Sequence, residues 1–188
     1  MSNAKLFAFA APSGGGKTSI IKPLLKKYPE FEFSVSATTR SMRPGEVHGK
    51  DYFFLSQEEF KELITRGEFV EHEFFFNNYY GTLKCEVDRA LQAGHSMIFD
   101  VDVKGALSIK KMYPKDSVLI FIVPPDMQTL EQRLRNRNTE DEEKIQRRLQ
   151  RASMEMETGK QFDAVVVNDD LDQAIARVDM IIKKHISS

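Results

Sequence analysis

Near the start of the chain, Gly14-Gly15-Gly16 stands directly before Lys17 and Thr18. Glycines let successive backbone N–H groups turn inward around a polyphosphate, and a helix beginning there adds its positive end. The run Ala11-x-x-x-x-Gly16-Lys17-Thr18 therefore has the spacing of a phosphate-binding loop. In this reading the segment Ser13, Gly14, Gly15, Gly16, Lys17, Thr18 and Ser19 wraps the phosphates. Lys17 bridges the β- and γ-phosphates, and the Thr18 hydroxyl ligates Mg²⁺. The place where such loops usually carry their first glycine holds Ala11, which would be strained if that position required φ > 0. These residues imply a nucleoside triphosphate, but not which reaction it enters.

Three further groups could do chemistry. Arg40 and Arg43 lie three residues apart in the polar segment Ser34-Val35-Ser36-Ala37-Thr38-Thr39-Arg40-Ser41-Met42-Arg43-Pro44-Gly45-Glu46, with Tyr52 soon after. Guanidinium forks match phosphate oxygens, so the trio could hold a phosphate monoester, although arginines in a polar loop are by default solvated surface. Asp100 and Asp102 end an apolar run, where ligands bind in open α/β sheets, and Asp102 can equally cap a helix starting at Val103. Arg133, Arg135 and Arg137, then Arg147, Arg148 and Arg151, make two charge-rich stretches in which Arg133 and Arg137 share a helix face. Glu71, by itself, reads as the polar face of an alternating strand.

The elements that must position these groups follow from hydrophobic period. Lys5–Ala10 is a short apolar strand entering the loop, and Ile20–Lys27 is an amphipathic helix. Pro23 predicts a bend or a late start there, because it removes a backbone donor. From Phe31 to Tyr80 the pattern is short aromatic strands around one helix that opens with the capping box Ser56-x-x-Glu59 and stops at Gly67. Thr82–Ala93 reads as a helix closed by Gly94. Then come strand Met97–Val101, helix Val103–Met112 and strand Val118–Val123. Helices follow over Asp126–Asn136 and over Glu140–Thr158, the second opened by Thr139-x-x-Glu142. Strand Ala164–Val167 and helix Leu171–Lys184 close the chain. Continuous apolar strands suit a parallel sheet covered on both faces. The fold class is α/β, a parallel sheet wrapped by helices with two excursions from one core.

A length of 188 residues suits one such unit. A formal net charge of −1 gives no bulk attraction to nucleic acid, and no apolar run is long enough to span a bilayer. Cys85 is the single cysteine, which excludes an internal disulfide and fits a cytoplasmic setting, and the N-terminus carries no secretory pattern.

Taken together, Ser34–Phe53, Asn78-Tyr79-Tyr80-Gly81, Phe99-Asp100-Val101-Asp102 and Val167-Asn168-Asp169-Asp170 resemble the guanylate kinases, in the family's order and over nearly the whole chain. The resemblance implies a P-loop kinase fold: core over 1–34, GMP-binding lobe over 35–92, core over 93–125, helical lid over 126–158 and core over 159–188. It implies ATP and GMP as substrates, dGMP also, in purine nucleotide metabolism, with Mg²⁺ and without nucleic acid, membrane or an obligate protein partner. By position, Arg40, Arg43, Tyr52 and Tyr80 match residues that hold the GMP phosphate. Ser36, Glu71 and Asp102 match those that read the base, with Thr82 beside them. Arg133, Arg137 and Arg148 match the catalytic lid arginines, Asp100 the carboxylate that orients hydrated Mg²⁺, and Asn168 a position near the donor adenine. A carboxylate at Glu71 could accept from both N1–H and the exocyclic amine of guanine, whereas adenine would present a bare lone pair.

Overall fold

The five-residue run Leu6–Ala10 and the seven-residue run Ser117–Val123 are buried at every position, as strands covered on both faces must be. The structure, a computed structural model, describes residues 4–136 and 142–187. Along the chain the elements are β1 (Leu6–Ala10), α1 (Lys17–Lys27), β2 (Glu32–Phe33), β3 (Ala37–Thr38), β4 (Phe53–Phe54), α2 (Gln57–Thr65), β5 (Phe69–Phe75) and β6 (Asn78–Leu83). They continue with α3 (Lys84–Ala93), β7 (Met97–Asp100), α4 (Val103–Met112), β8 (Ser117–Val123), α5 (Met127–Arg135), α6 (Glu142–Gly159), β9 (Ala164–Val167) and α7 (Leu171–Ile186).

Five strands form a parallel sheet in the order β2-β7-β1-β8-β9. Strand alternation splits the sheet's side chains between two cores. Leu6, Ala8 and Ala10 join Val87, Phe99, Val103 and Ile109 on one face, beneath α3 and α4. Phe7 and Phe9 join Ile20, Leu24, Val178 and Ile182 on the other, beneath α1 and α7. Each of the larger side chains among these is worth roughly 1.5–3 kcal/mol relative to exposure.

A second, mixed sheet has the order β4-β3-β6-β5 and carries its own small core of Ala37, Phe60, Phe69 and Leu83. The Ser56–Glu59 capping box forms as expected: the Ser56 hydroxyl accepts from Glu59 N at 3.1 Å and the Glu59 carboxylate from Ser56 N at 2.7 Å. Leu130, Leu134 and Ala152 form a separate small cluster between α5 and α6.

Two expectations are corrected. Thr82 and Leu83 belong to β6, not to a helix, because Thr82 pairs across the sheet with Glu71, and α3 begins at Lys84. Helix α1 has no late start; it begins at Lys17 and runs through Pro23. Within 35–92, α3 buries Val87 and Ala90 in the large core. Arg137 and the Thr139 cap lie outside the described residues.

Candidate active site

The phosphate loop takes its shape from two glycines in left-handed conformation, Gly14 at φ +93° and Gly16 at φ +88°. Gly16 also has no room for a side chain: a Cβ there would come within 2.2 Å of Asn168 Nδ2. Ala11 is not in the left-handed region, so the condition for strain there is not met. Helix α1 starts directly after the loop with no side-chain cap and no acidic residue in its first turn. Ser19 N donates back to the Gly16 carbonyl at 3.1 Å, and no side chain caps the positive end, as suits an anion.

Lys17 Nζ reaches across to the end of β7, 2.6 Å from Asp100 Oδ1 and 2.5 Å from the Val101 carbonyl. Parallel pairing of β1 with β7 sets Phe9 opposite Asp100, which brings the carboxylate to the mouth of the loop. Asn168 braces the loop from the far side. It is buried, donates from Nδ2 to Gly15 O at 2.9 Å, and takes Arg133 Nη2 on its own carbonyl at 2.9 Å. From α6, Arg148 Nη1 donates to the Ser13 hydroxyl at 3.2 Å. Two arginines from different helices, Arg133 on α5 and Arg148 on α6, thus meet the loop and its brace.

The second group of residues sits where the small sheet faces the large one. A cavity of about 260 Å³ is lined by Lys17, Asp100 and Asp102 from the core and by Ser36, Tyr52, Glu71 and Tyr80 from the small sheet. Thr82 donates its hydroxyl to Glu71 Oε1 at 2.7 Å, leaving Oε2 without that partner. Burial pushes the Glu71 carboxyl above the usual carboxylate range; the Thr82 hydrogen bond opposes this, and the charge of Asp102 adds to it. Asp102 also caps α4, Oδ1 accepting from Gly105 N at 2.8 Å, as the capping reading expected.

Arg40 and Arg43 are not among the residues lining this cavity. Arg40 is held beside it: its guanidinium makes a bidentate pair with Glu46, at 2.7 and 3.0 Å, and lies 5.3 Å from the Tyr52 ring centre and 5.6 Å from that of Phe54. Tyr52 in turn meets Tyr80 edge-on at 6.3 Å. Arg43 is exposed, and its backbone N–H donates to Glu46 at 2.7 Å.

Sequence reasoning missed the part played by Glu46. The only signal was a carboxylate three and six residues after two arginines in one loop. It also missed Arg151, whose Nη2 lies 3.4 Å from Asp102 Oδ2. A charge-rich helix gives no reason to single out one arginine. Arg151 lines a larger cleft, about 1030 Å³, between β5, α4 and α6, which shares Glu71, Glu73 and Asp102 with the smaller cavity.

The family model for guanylate kinase matches residues 3–185. The chain is 46% identical over 184 residues to a guanylate kinase of Chlorobium luteolum, covering 98% of this chain and 93% of that one. It is 43% identical to a guanylate kinase of Salinibacter ruber, with both chains covered in full. The crystal structure of guanylate kinase from Anaplasma phagocytophilum superposes with a TM-score of 0.75 at 31% identity, covering 100% of this chain and 89% of that one. With the glycine loop before Lys17 and the acidic cavity facing it in place, the chain belongs to the guanylate kinase family of nucleoside monophosphate kinases.

Proposed function

We propose that the protein transfers the terminal phosphoryl group of ATP to GMP, and to dGMP, giving ADP and the diphosphate, in purine nucleotide metabolism in the cytoplasm. The observation that carries the proposal is the cavity in which Lys17 and Asp100, at the mouth of the phosphate loop, share a wall with the base-reading set Ser36, Glu71 and Asp102. Donor and acceptor sites in contact are what direct transfer between two nucleotides needs.

In this reading 35–92 supplies the acceptor side and 126–158 the lid. Arg40, Arg43, Tyr52 and Tyr80 hold the acceptor phosphate. Ser36 donates to O6, Glu71 accepts from N1–H and the amine, and Thr82 fixes the Glu71 carboxylate. An oxygen of the acceptor phosphate attacks the γ-phosphorus in line, and the bond to the β,γ-bridging oxygen breaks toward ADP. No covalent enzyme intermediate forms, and no general base is required, since the nucleophile is already an anionic oxygen. Lys17 leaves Asp100 for the β- and γ-phosphates, and Arg133, Arg137 and Arg148 stabilise charge spread over the migrating group. Asn168 serves the donor side through the loop it braces.

Thr18, second in α1, and Asp100, opposite the loop, fit Mg²⁺, which is held by one or two protein oxygens with phosphates and water supplying the rest. When bound it would neutralise charge on the donor phosphates.

A coupled assay of ADP formation from Mg-ATP tests this, with GMP, dGMP, AMP, CMP and UMP offered in turn beside a control without acceptor. Turnover confined to the guanine nucleotides is the expected result. ADP formation equal with and without acceptor would refute it.

A further inference from the structure

Asp102 has two oxygens with different work. Oδ1 is spent on the N-terminus of α4, accepting from Gly105 N. Oδ2 is the oxygen left for a ligand in the base-reading cavity, and it faces Arg151 Nη2 at 3.4 Å. Arg151 is on α6, outside both sheets, and it does not swing freely. Its Nε donates to Glu155 Oε1 at 2.7 Å one turn further along, and the Glu155 side chain is only 14% exposed. A guanidinium fixed at Nε presents its outer fork in a set direction, which a lysine ammonium could not do.

Glu71, Glu73 and Asp102 line one cavity. Base reading by two acceptors needs both correctly turned. Among the described residues, Arg151 is the cation paired with Asp102, and it comes from the lid side of the larger cleft.

Resting on the base-reading assignment above, we propose that Arg151 is a positioning residue for guanine discrimination. It holds Asp102 Oδ2 oriented toward the exocyclic amine of the base, and Glu155 aims it. The acceptor base is thereby sensed from α6, the helix that also carries Arg148.

The experiment compares kcat/KM for GMP with that for IMP, which keeps N1–H and O6 but lacks the amine, in the full chain and in four variants. Arg151→Gln is expected to lower the GMP-to-IMP ratio roughly tenfold, the worth of about one charge-assisted hydrogen bond, with KM for ATP and Tm unchanged. Glu155→Gln should shift the ratio in the same direction by less, and Arg151→Lys should restore only part of it. Lys104→Gln, removing another cation of the same cleft, should leave the ratio unchanged. A wild-type ratio in Arg151→Gln would overturn the proposal. So would an equal drop in Lys104→Gln, since any nearby positive charge would then serve. Equal use of GMP and IMP by the unaltered enzyme would sink the base-reading assignment and this proposal together, whereas discrimination that survives Arg151→Gln sinks only this proposal.

Discussion

Replacing Glu71 with Gln separates what the residue does for recognition from what it does for stability. In the native protein Oε1 already accepts from Thr82 at 2.7 Å, so recognition of two donors on the base falls largely to Oε2. A glutamine that keeps its oxygen toward Thr82 turns an NH₂ toward those donors; one that flips to serve the base loses the Thr82 bond. Either way a charge-assisted interaction is lost, about 1.5–3 kcal/mol, and in the first arrangement two donors also face each other across a partly buried site, for a total of about 3–5 kcal/mol. At about 1.4 kcal/mol per decade, kcat/KM for GMP should fall by roughly 10² to 10⁴. KM for ATP should stay within about twofold.

Stability should move the other way. Burial raises the Glu71 pKa above its ordinary 4.5, so the native state favours the protonated carboxyl. Between 4.5 and the raised value the fold binds more protons than the unfolded chain, so stability falls as pH rises through that window. At neutral pH the ionised group costs stability, and the neutral amide removes that cost. Coupled ADP assays at saturating Mg-ATP with GMP varied, run beside thermal unfolding at pH 7, give both numbers. A variant within tenfold of wild type on GMP, or one clearly less stable than wild type at pH 7, would refute the reasoning.

Three other outcomes follow from the same coordinates. Glu46→Ala frees Arg40 from its bidentate partner and the Arg43 backbone from its acceptor, so KM for GMP should rise on the order of tenfold while KM for ATP holds; steady-state kinetics with each substrate varied will show it. Gly159→Ala would stabilise an ordinary helix, but here its Cβ would meet the Phe121 ring at 2.2 Å in a fully packed core. Overpacking of about 1–3 kcal/mol should lower Tm by roughly 2–10 °C, read by calorimetry. Burial acts to raise the Asp179 pKa, yet hydrogen bonds from Lys183, Lys27 and Tyr28 outweigh it and hold the carboxyl well below the usual range. Its stabilising share is therefore full at neutral pH and lost as pH falls below the ordinary carboxylate range, so Asp179→Asn should be less stable at pH 7 and lose less than wild type on acidification.

Much of this was legible because the chemistry is written locally. The glycines before Lys17 set the loop, Ser56 and Glu59 close their own box, and the unbroken apolar runs of β1 and β8 can only be interior strands. Thr82 was misread because a short stretch of mixed polarity fits either period; the deciding partner, Glu71, sits on another strand across a turn. The bond between Asn168 and Gly15 and the grip of Glu46 on Arg40 were hidden for different reasons. The first joins residues 153 positions apart, a separation no local pattern reports. The second is local, but whether a loop carboxylate turns to solvent or to an arginine depends on the aromatic rings that shelter the pair.

The irregularity in β5 reaches further than its size suggests. Phe69 pairs with Leu83 and Glu71 with Thr82, so Val70 stands as the extra residue of the strand, opposite nothing. Phe69 enters the core of the small sheet and Val70 the core of the large one. This unpaired residue is thus a dowel between two bodies that otherwise fold around separate centres. Removing Val70 outright would leave the ladder in register and Glu71 opposite Thr82, yet it would unpin one body from the other. The length of this strand before Glu71 thus bears on the joint between the two bodies, whereas Phe74 and Phe75 at its tip are exposed.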